Sequence, residues 1–588
     1  MALRRLLFIA AALNAVIFGG LALSSGQAAD MVEGQLLVAH GDGFDGEYLR
    51  EFTLMLDDGT VVDLDIDGEV YDAAGGDLIV SNQRVEVTIE DGQATRLAYA
   101  GPGEAGTDAV FGPQPWLTIK CEFPGGSNET APESYFQNMY SNTYPGLGHY
   151  WQRHSFSQVN INGSNNYNGW HTLPNPSGYY SEYCYKLIVL AGDCLAASNA
   201  NVSGYIGVNF MFDETFGCCA WGGGSSAVPV QRVTWNPPWA WQDITVIAHE
   251  MGHGFGLPHS NNYDMDGNPY DNPYDVMSGA FLYNIVDPTY GQLGKHTISY
   301  HKDALLGWIP DDNRFEVPAF GDTYRLPIEN IARQSTDEYY LATIDLGSSY
   351  GYTVEARHSE DYDLTIPGEA ILIHETYPFR TEDAWLAGCT SGADTPCSGG
   401  QWTVGETFTD AANDIRVRVE EKTTHGFVVS ISNDGAIKPL ANGSFEADPN
   451  SDDIPDGWNF NGGDGFQLCN AQYADTGSCL FVFKGTGGTD ALIQTLDVSG
   501  SSGTSFDLSF KYRGTDITGN PFVGMRIEFS GPGGSQSVNC LANAPTVGFQ
   551  TKTCTVTANQ NFNQIRLYGG WRGATGGFLA FDSITLTP

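Results

Sequence analysis

Positive charge is the scarcest commodity in this chain: 27 Lys and Arg stand against 70 Asp and Glu in 588 residues, a net charge of −43. That shortage excludes a general nucleic-acid binder, which needs clustered basic side chains to neutralise phosphates. Charged residues total only 16%, so the acidity reflects missing Lys and Arg more than dense Asp and Glu. Long apolar runs are equally rare. The only one is 6–23, and nothing after it is long and apolar enough to cross a bilayer. What the chain does have is 72 glycines, 29 tyrosines and many uncharged polar residues, a composition that suits β-rich extracellular proteins.

The apolar run follows Arg4 and Arg5 and leads into Ser24-Ser25-Gly26-Gln27-Ala28-Ala29. Small residues there suit a signal peptidase, so residues 1–29 read as an export signal that leaves no membrane span once cleaved. The chain is then secreted and extracellular, or held at the cell surface if the signal is uncleaved.

Histidine is also scarce, 12 in all, yet three fall within eleven residues. The segment His249-Glu250-Met251-Gly252-His253-Gly254-Phe255-Gly256-Leu257-Pro258-His259 has ligand spacing. His249 and His253 are four apart and share one face of an α-helix. Gly256 lets the chain leave that helix in a sharp turn, bringing in His259. Three protein ligands leave a fourth position open, the arrangement of a catalytic rather than a structural Zn2+. Zinc lowers the pKa of bound water from about 15.7 towards 7, and Glu250 is placed as the general base. With average usage of Glu and Gly, chance alone produces this pattern on the order of once in tens of thousands of chains.

The pattern HExxHxxGxxH followed by a methionine turn resembles the metzincin signature. Asp275-Val276-Met277-Ser278-Gly279 supplies the second half, and the resemblance implies that Met277 forms an apolar floor under the histidines. Ser299-Tyr300-His301-Lys302 and Leu306-Gly307-Trp308 are similar to the closing segment of gametolysin-type, cell-wall-lysing peptidases. The stretch Tyr352-Thr353-Val354-Glu355-Ala356-Arg357, with Asp363 and Ile371-Leu372-Ile373-His374, resembles the β-region that follows the catalytic domain there. The resemblance covers about residues 115–435 and implies a zinc endopeptidase acting on proteins or glycoproteins. A tyrosine often completes such sites; neither Tyr283 nor Tyr300 stands at a matching spacing.

Eleven cysteines agree with an oxidising location. Local spacing pairs Cys184 with Cys194, Cys389 with Cys397, Cys469 with Cys479 and Cys540 with Cys554, although connectivity does not follow from sequence. Cys121, Cys218 and Cys219 are left. Cys121 either bridges one of the adjacent pair, leaving a free thiol, or caps the zinc as cysteine switches do in some metzincins; its place in the apolar run 116–123 favours a structural role.

The expected architecture is an α/β metzincin-type catalytic domain combined with several all-β domains. Residues 30–112 alternate in a β manner with turns at Asp57-Asp58-Gly59 and Asp91-Gly92, giving an N-terminal barrel or sandwich that is either a propeptide or a permanent module. The catalytic domain spans 113–310, with strands at 116–123 and 205–212, helices near 132–141 and 186–200, and a zinc helix starting near Gln242 or Asp243. Asp264, Asp266 and Asn268 around Gly267 form either a calcium loop or a plain turn. A β-sandwich follows over 311–437. Residues 438–588 resemble carbohydrate-binding jelly rolls: Asn442-Gly443-Ser444-Phe445-Glu446 and Pro455-Asp456-Gly457-Trp458 open such modules, and Leu579-Ala580-Phe581-Asp582-Ser583-Ile584 closes them. That resemblance implies a structural Ca2+ near Glu446 and Asp582, and polysaccharide binding would need exposed aromatics on a concave face, a role open to Trp458 or Trp571, although the core is the favoured place for both. The main expectation is a secreted zinc endopeptidase; the alternative is a surface adhesin or glycan-binding protein whose C-terminal module is the main function.

Overall fold

The computed structural model describes residues 30–587 apart from 44–45, 91–92, 102–109, 127–129, 182–185, 225–231, 264–267, 319–321, 348–349, 378, 381, 391–395, 436–437, 439 and 449. The export signal, Cys184 and the loop residues Asp264, Asp266 and Gly267 lie outside the described residues. Strand outweighs helix, 45% against 14%, so the protein is mostly β. Among the described residues no helix is long and apolar enough to cross a membrane. The chain divides into two compact units, one comprising Met1–Pro310, Asn330–Ser335 and Gly347–Gln401, the other Asp311–Glu329, Thr336–Leu346 and Trp402–Pro588. Residues 311–437 are thus shared between the units.

The first unit begins with a five-stranded barrel: β1 (Asp30–Gly43), β2 (Tyr48–Met55), β3 (Val61–Ile66), β4 (Arg84–Glu90) and β5 (Gln93–Gly101). The order β2-β3-β5-β4-β1 closes because β1 also pairs with β2. Closure removes the barrel's edges, and period-two alternation sends Leu36, Val38, Phe52, Leu54, Val85 and Val87 into one apolar interior.

β1 changes partner along one edge while the other stays on β2 from Gln35 to Asp42. Its first part, Asp30–Gln35, pairs with β4, and Ala39–Gly43 pair antiparallel with a strand outside the barrel. That outside strand, β11, belongs to a second set: β6 (Gly112–Pro113), β7 (Trp116–Glu122), β8 (Val159–Asn160), β9 (Asn165–Thr172), β10 (Gly207–Phe212), β11 (Cys219–Gly224) and β12 (Arg232–Asn236). β6 and β8 form a small separate pair, while β1-β11-β12-β10-β7-β9 continue as one sheet. β7, β9, β10 and β12 are parallel, and β11 runs against β12.

Both faces of this sheet are covered, as parallel strands require. Leu117, Ile119, Val208, Phe210, Val233 and Trp235 pack with the Leu187–Ser198 helix. The opposite face carries a buried polar row. Thr234 Oγ1 donates to Asn209 Oδ1 (2.7 Å), Asn209 Nδ2 donates to the Tyr140 hydroxyl (2.8 Å), and that hydroxyl shares a 2.6 Å bond with Thr118. Over this face lies the Ile244–Gly254 helix, whose residues are all buried.

Cys389–Cys397, Cys469–Cys479 and Cys540–Cys554 are disulfides, as their spacing predicts. The pairing of Cys194 with Cys184 is corrected: Cys194 is bonded to Cys121, joining β7 to the Leu187–Ser198 helix. Cys121 therefore neither caps the metal site nor bridges the adjacent pair, because Cys218 and Cys219 are bonded to each other. Sequence distance misleads here, since β7 and that helix become neighbours only when the sheet forms.

The second unit holds a four-stranded antiparallel sheet, in the order Thr323–Glu329, Gly426–Ser432, Ile415–Lys422, Thr407–Asp410, and an eight-stranded one spanning Asn459–Thr587. Its long strands Ser505–Gly531 and Gln564–Thr587 enclose an aromatic core with Phe445, Trp458, Phe481, Phe510, Trp571 and Phe581.

Candidate metal centre

Asp243 starts the Ile244–Gly254 helix by accepting a hydrogen bond from the Thr245 N–H at 3.1 Å, satisfying one of the four free donors at a helix start. Burial pushes the Asp243 carboxyl up to about 6. Six residues from the cap, the helix presents His249 and then His253 on one face. Gly256, at φ 92°, turns the chain through the left-handed region that residues with a Cβ avoid, and His259 returns to the same point. The expected ligand trio is brought together.

Each helix imidazole is anchored from behind. His249 Nδ1–H donates to the Val276 carbonyl at 2.7 Å, and His253 Nδ1–H donates to the Leu257 carbonyl at 2.8 Å. With Nδ1 protonated, the neutral ring carries a bare lone pair on Nε2. His249 Nε2 lies 3.1 Å from both His253 Nε2 and His259 Nε2. Lone pairs that converge so closely repel one another unless a cation lies between them. Tetrahedral zinc with bonds near 2.0–2.1 Å separates its nitrogen ligands by about 3.3 Å. The residues fit the ion.

Met277 packs against the Ile244–Gly254 helix at Gly252. Met277 is fully buried, and the turn is fixed by Asp275, which accepts from the Met277 N–H (2.9 Å) and the Ser260 hydroxyl (2.7 Å). Neither Glu250 carboxylate oxygen has a hydrogen-bond partner. Burial, then the neighbouring Asp42 charge, push the Glu250 carboxyl well above its ordinary range. β11 crosses close to this residue at Gly222, where an added Cβ would stand 2.2 Å from the Glu250 carbonyl oxygen.

A fourth ligand comes from elsewhere in the chain. Asp42, near the end of β1, places Oδ1 2.9 Å from His259 Nε2, and Oδ2 3.2 Å from His253 Nε2 and 3.4 Å from His249 Nε2. Together the four side chains form a buried cluster suited to a metal ion. Burial alone would raise the Asp42 carboxyl; without a metal, proton sharing with the His259 and His249 rings beside it holds it well below the usual carboxylate range. The Tyr270 hydroxyl donates to Asp42 Oδ1 at 2.6 Å. His40, two residues before, stacks on His253 (4.3 Å between centroids) and lies 3.2 Å from Asp77 and 3.1 Å from the Tyr48 hydroxyl. The sequence reading missed Asp42, His40, Tyr48 and Tyr270. The available signal was His40-Gly41-Asp42-Gly43, polar groups closing the apolar run of β1. The tyrosines at the site are Tyr48 and Tyr270, not Tyr283 or Tyr300.

In the second unit, Glu446 accepts from the Ser478 and Cys479 N–H groups (3.0 and 2.9 Å), and Asp582 accepts from those of Asp475 and Thr476 (2.7 and 3.2 Å). Burial pushes Glu446 up to about 7 and Asp582 up to about 6. No third acidic, His or Cys ligand atom clusters with them among the described residues, so the structure adds nothing to the expected calcium. Trp458 and Trp571 are core residues: their Nε1–H groups donate to the Asn442 carbonyl (3.0 Å) and to Asp490 (2.8 Å).

No protein-family model and no curated relative matches the chain. Among solved structures, a carbohydrate-binding module in complex with β-1,4-galactotriose is similar over 26% of this chain and 98% of its own, with 17% identity and a TM-score of 0.19. The xylan-binding domain of Paenibacillus barcinonensis Xyn10C is similar over 24% of this chain and 90% of its own, with 16% identity and a TM-score of 0.20. The enzymatically active domain of bacteriophage CBA120 tailspike protein 4 matches over 26% of this chain, which spans about a fifth (21%) of that domain, with 16% identity and a TM-score of 0.20.

Proposed function

We propose that the first unit is an exported zinc-dependent endopeptidase of metzincin type, resembling the gametolysin-type peptidases, that hydrolyses extracellular proteins or glycoproteins. The observation that carries this reading is the convergence of three imidazole Nε2 atoms, two of them, in His249 and His253, left bare because Nδ1 is anchored on a carbonyl group. Zinc bound by His249, His253 and His259 supplies Lewis acidity and makes water acidic enough to ionise near neutral pH. Glu250, adjacent to a ligand and free of hydrogen-bond partners, takes the proton from water and returns it to the leaving amine. Met277 and the Val276 carbonyl keep the rings in place, so that little reorganises during turnover. In active preparations Glu250→Ala should lower casein cleavage by about 10²–10⁴-fold while one zinc per chain is retained by elemental analysis. His253→Ala should lose the zinc. Unchanged cleavage by the Glu250 variant sinks the reading.

A second activity is glycan docking by the C-terminal module, with a different aromatic surface from the one expected. Trp458 and Trp571 are buried, but the Arg513 guanidinium lies between Tyr473 and Phe549, at 5.6 and 5.0 Å from their ring centroids. An exposed aromatic ring beside a hydrogen-bond donor offers a sugar both a stacking face and a polar partner. Tyr473→Ala should reduce retention of the purified protein on wall polysaccharides in affinity electrophoresis. Absence of retention for the wild type on every glycan tried would end this proposal.

A further inference from the structure

The third imidazole is held differently from the other two. The rings of His249 and His253 are each anchored by Nδ1 on a backbone carbonyl, whereas His259 Nδ1 is buried with no hydrogen-bond partner among the described residues. Tyr48 and Tyr270 meet the His259 ring edge-on, at 4.7 and 5.3 Å between centroids, which steers its tilt but gives Nδ1 nothing to donate to. The place of His259 therefore depends on the backbone that follows it. We infer that His301 is a positioning residue for this ligand: its buried ring, set between Asp275 and Asp383, holds the Asp275 carboxylate against Ser260, the residue after His259. This rests on the zinc-peptidase reading of the histidine trio.

Asp275 is the joint. Its Oδ2 accepts from the Ser260 hydroxyl at 2.7 Å and its Oδ1 from the Met277 N–H at 2.9 Å. Asn272 Nδ2 donates to the same hydroxyl at 3.2 Å, so Ser260 Oγ accepts on one side and donates on the other. One carboxylate thus ties the segment leaving His259 to the turn whose Val276 carbonyl anchors His249.

Asp275 is fully buried, and a buried carboxylate is tolerated only with an opposite charge beside it and its oxygens satisfied. His301, equally buried, supplies that charge. Its Nδ1 stands 3.5 Å from Asp275 Oδ2 and its Nε2 3.2 Å from Asp383 Oδ1. The Thr297 hydroxyl lies 3.3 Å from His301 Nδ1 and is also hydrogen-bonded to Asp275. Burial alone would lower the His301 ring, but the hydrogen bond to Asp383 and the charges of Asp383, Asp275 and Glu355 push it up. An imidazolium donates from both nitrogens, and here each nitrogen faces a carboxylate.

The far end of this relay is built into the same loop. Asp383 directly precedes the Ala384–Leu386 strand, which pairs in parallel with Asn261–Asn262, Asn261 standing opposite Trp385. The Tyr263 N–H then donates to the Cys389 carbonyl at 2.8 Å. Residues 384–389 therefore grip the segment after Ser260 while Asp383 grips His301, and all of these groups belong to the first unit.

The test titrates Co2+ into the metal-free, full-length protein while the visible absorption of the bound ion is followed. His301→Gln is expected to weaken Co2+ binding by about tenfold or more, the range for groups that orient a ligand. Ser260→Ala, which cuts the link to Asp275, should weaken it in the same direction. The double variant should then lose less than the product of the two single losses, because His301 acts through Ser260. Losses that multiply overturn the inference, since His301 then contributes only general stability. So does either single variant that binds Co2+ as tightly as the wild type. Asp383→Asn, which reaches the ring from its other side, is expected to show the same pattern should His301→Gln fold poorly. No cobalt band in the wild type overturns the zinc reading itself, an outcome told apart because there is then no affinity to compare.

Discussion

Met277 is buried directly against the Ile244–Gly254 helix: a Cβ added to Gly252 would stand 2.5 Å from its sulfur. Nothing smaller fills that space. Met277→Ala should cost about 2–5 kcal/mol of stability, the range for removing a large buried side chain, whereas Met277→Leu should cost less than about 1.5 kcal/mol. Urea unfolding of the zinc-loaded protein measures both. At this scale the sequence was most informative where spacing alone carries the chemistry. His249, Glu250, His253 and His259 are local, so helix geometry and one glycine define their arrangement. Met277 was legible only through a resemblance. Asp42, Tyr48 and Tyr270 were not legible, because their proximity to the histidines depends on how β1 and the loop before the Met turn are laid across the sheet, and no local period records that.

Strands and helices of the first unit were mostly foreseeable. The runs 116–123 and 205–212 became β7 and β10, and 186–200 contains the Leu187–Ser198 helix. Apolar periodicity states what an element is, since burial of one face is decided residue by residue. It does not state which element lies beside which. For that reason the disulfide of Cys194 was misassigned to the nearer Cys184: Cys121 precedes it by 73 residues, and only the pairing of β7 with β10 and β9 brings it under the helix. The same limit concealed the double use of β1, which reads as one alternating strand yet pairs along one edge with β2 and along the other first with β4 and then with β11 of the second sheet.

Across the whole molecule, the shortage of Lys and Arg leaves many carboxylates without a positive neighbour, and some of them are buried. Asp456, in the second unit, is pushed up to about 7 by burial, then by the charges of Glu338 and Asp448, which the nearby Arg325 offsets only in part. Its folded value lies above its unfolded one, so its contribution to stability is complete below about pH 4 and is lost as pH rises through 7. Lys302, in the first unit, shows the opposite behaviour. Burial lowers it to about 7, so its penalty is complete below pH 7 and is relieved as pH climbs towards its unfolded value near 10.5. The two groups thus answer to pH in opposite senses. Asp456→Asn should raise the melting temperature relative to the wild type at pH 8, with the difference shrinking to nothing near pH 4. A difference independent of pH would show that the charge of Asp456 is not what the substitution removes.

β1 has one more consequence, and it concerns how the protein is made. It is synthesised long before β11, so this ladder is a distant contact that closes late and slowly, and until it closes the glycine-rich strand has a bare edge of the sort that invites aggregation. β1 is then the template against which that strand settles, and a chain lacking β1 should leave β11 with a bare edge.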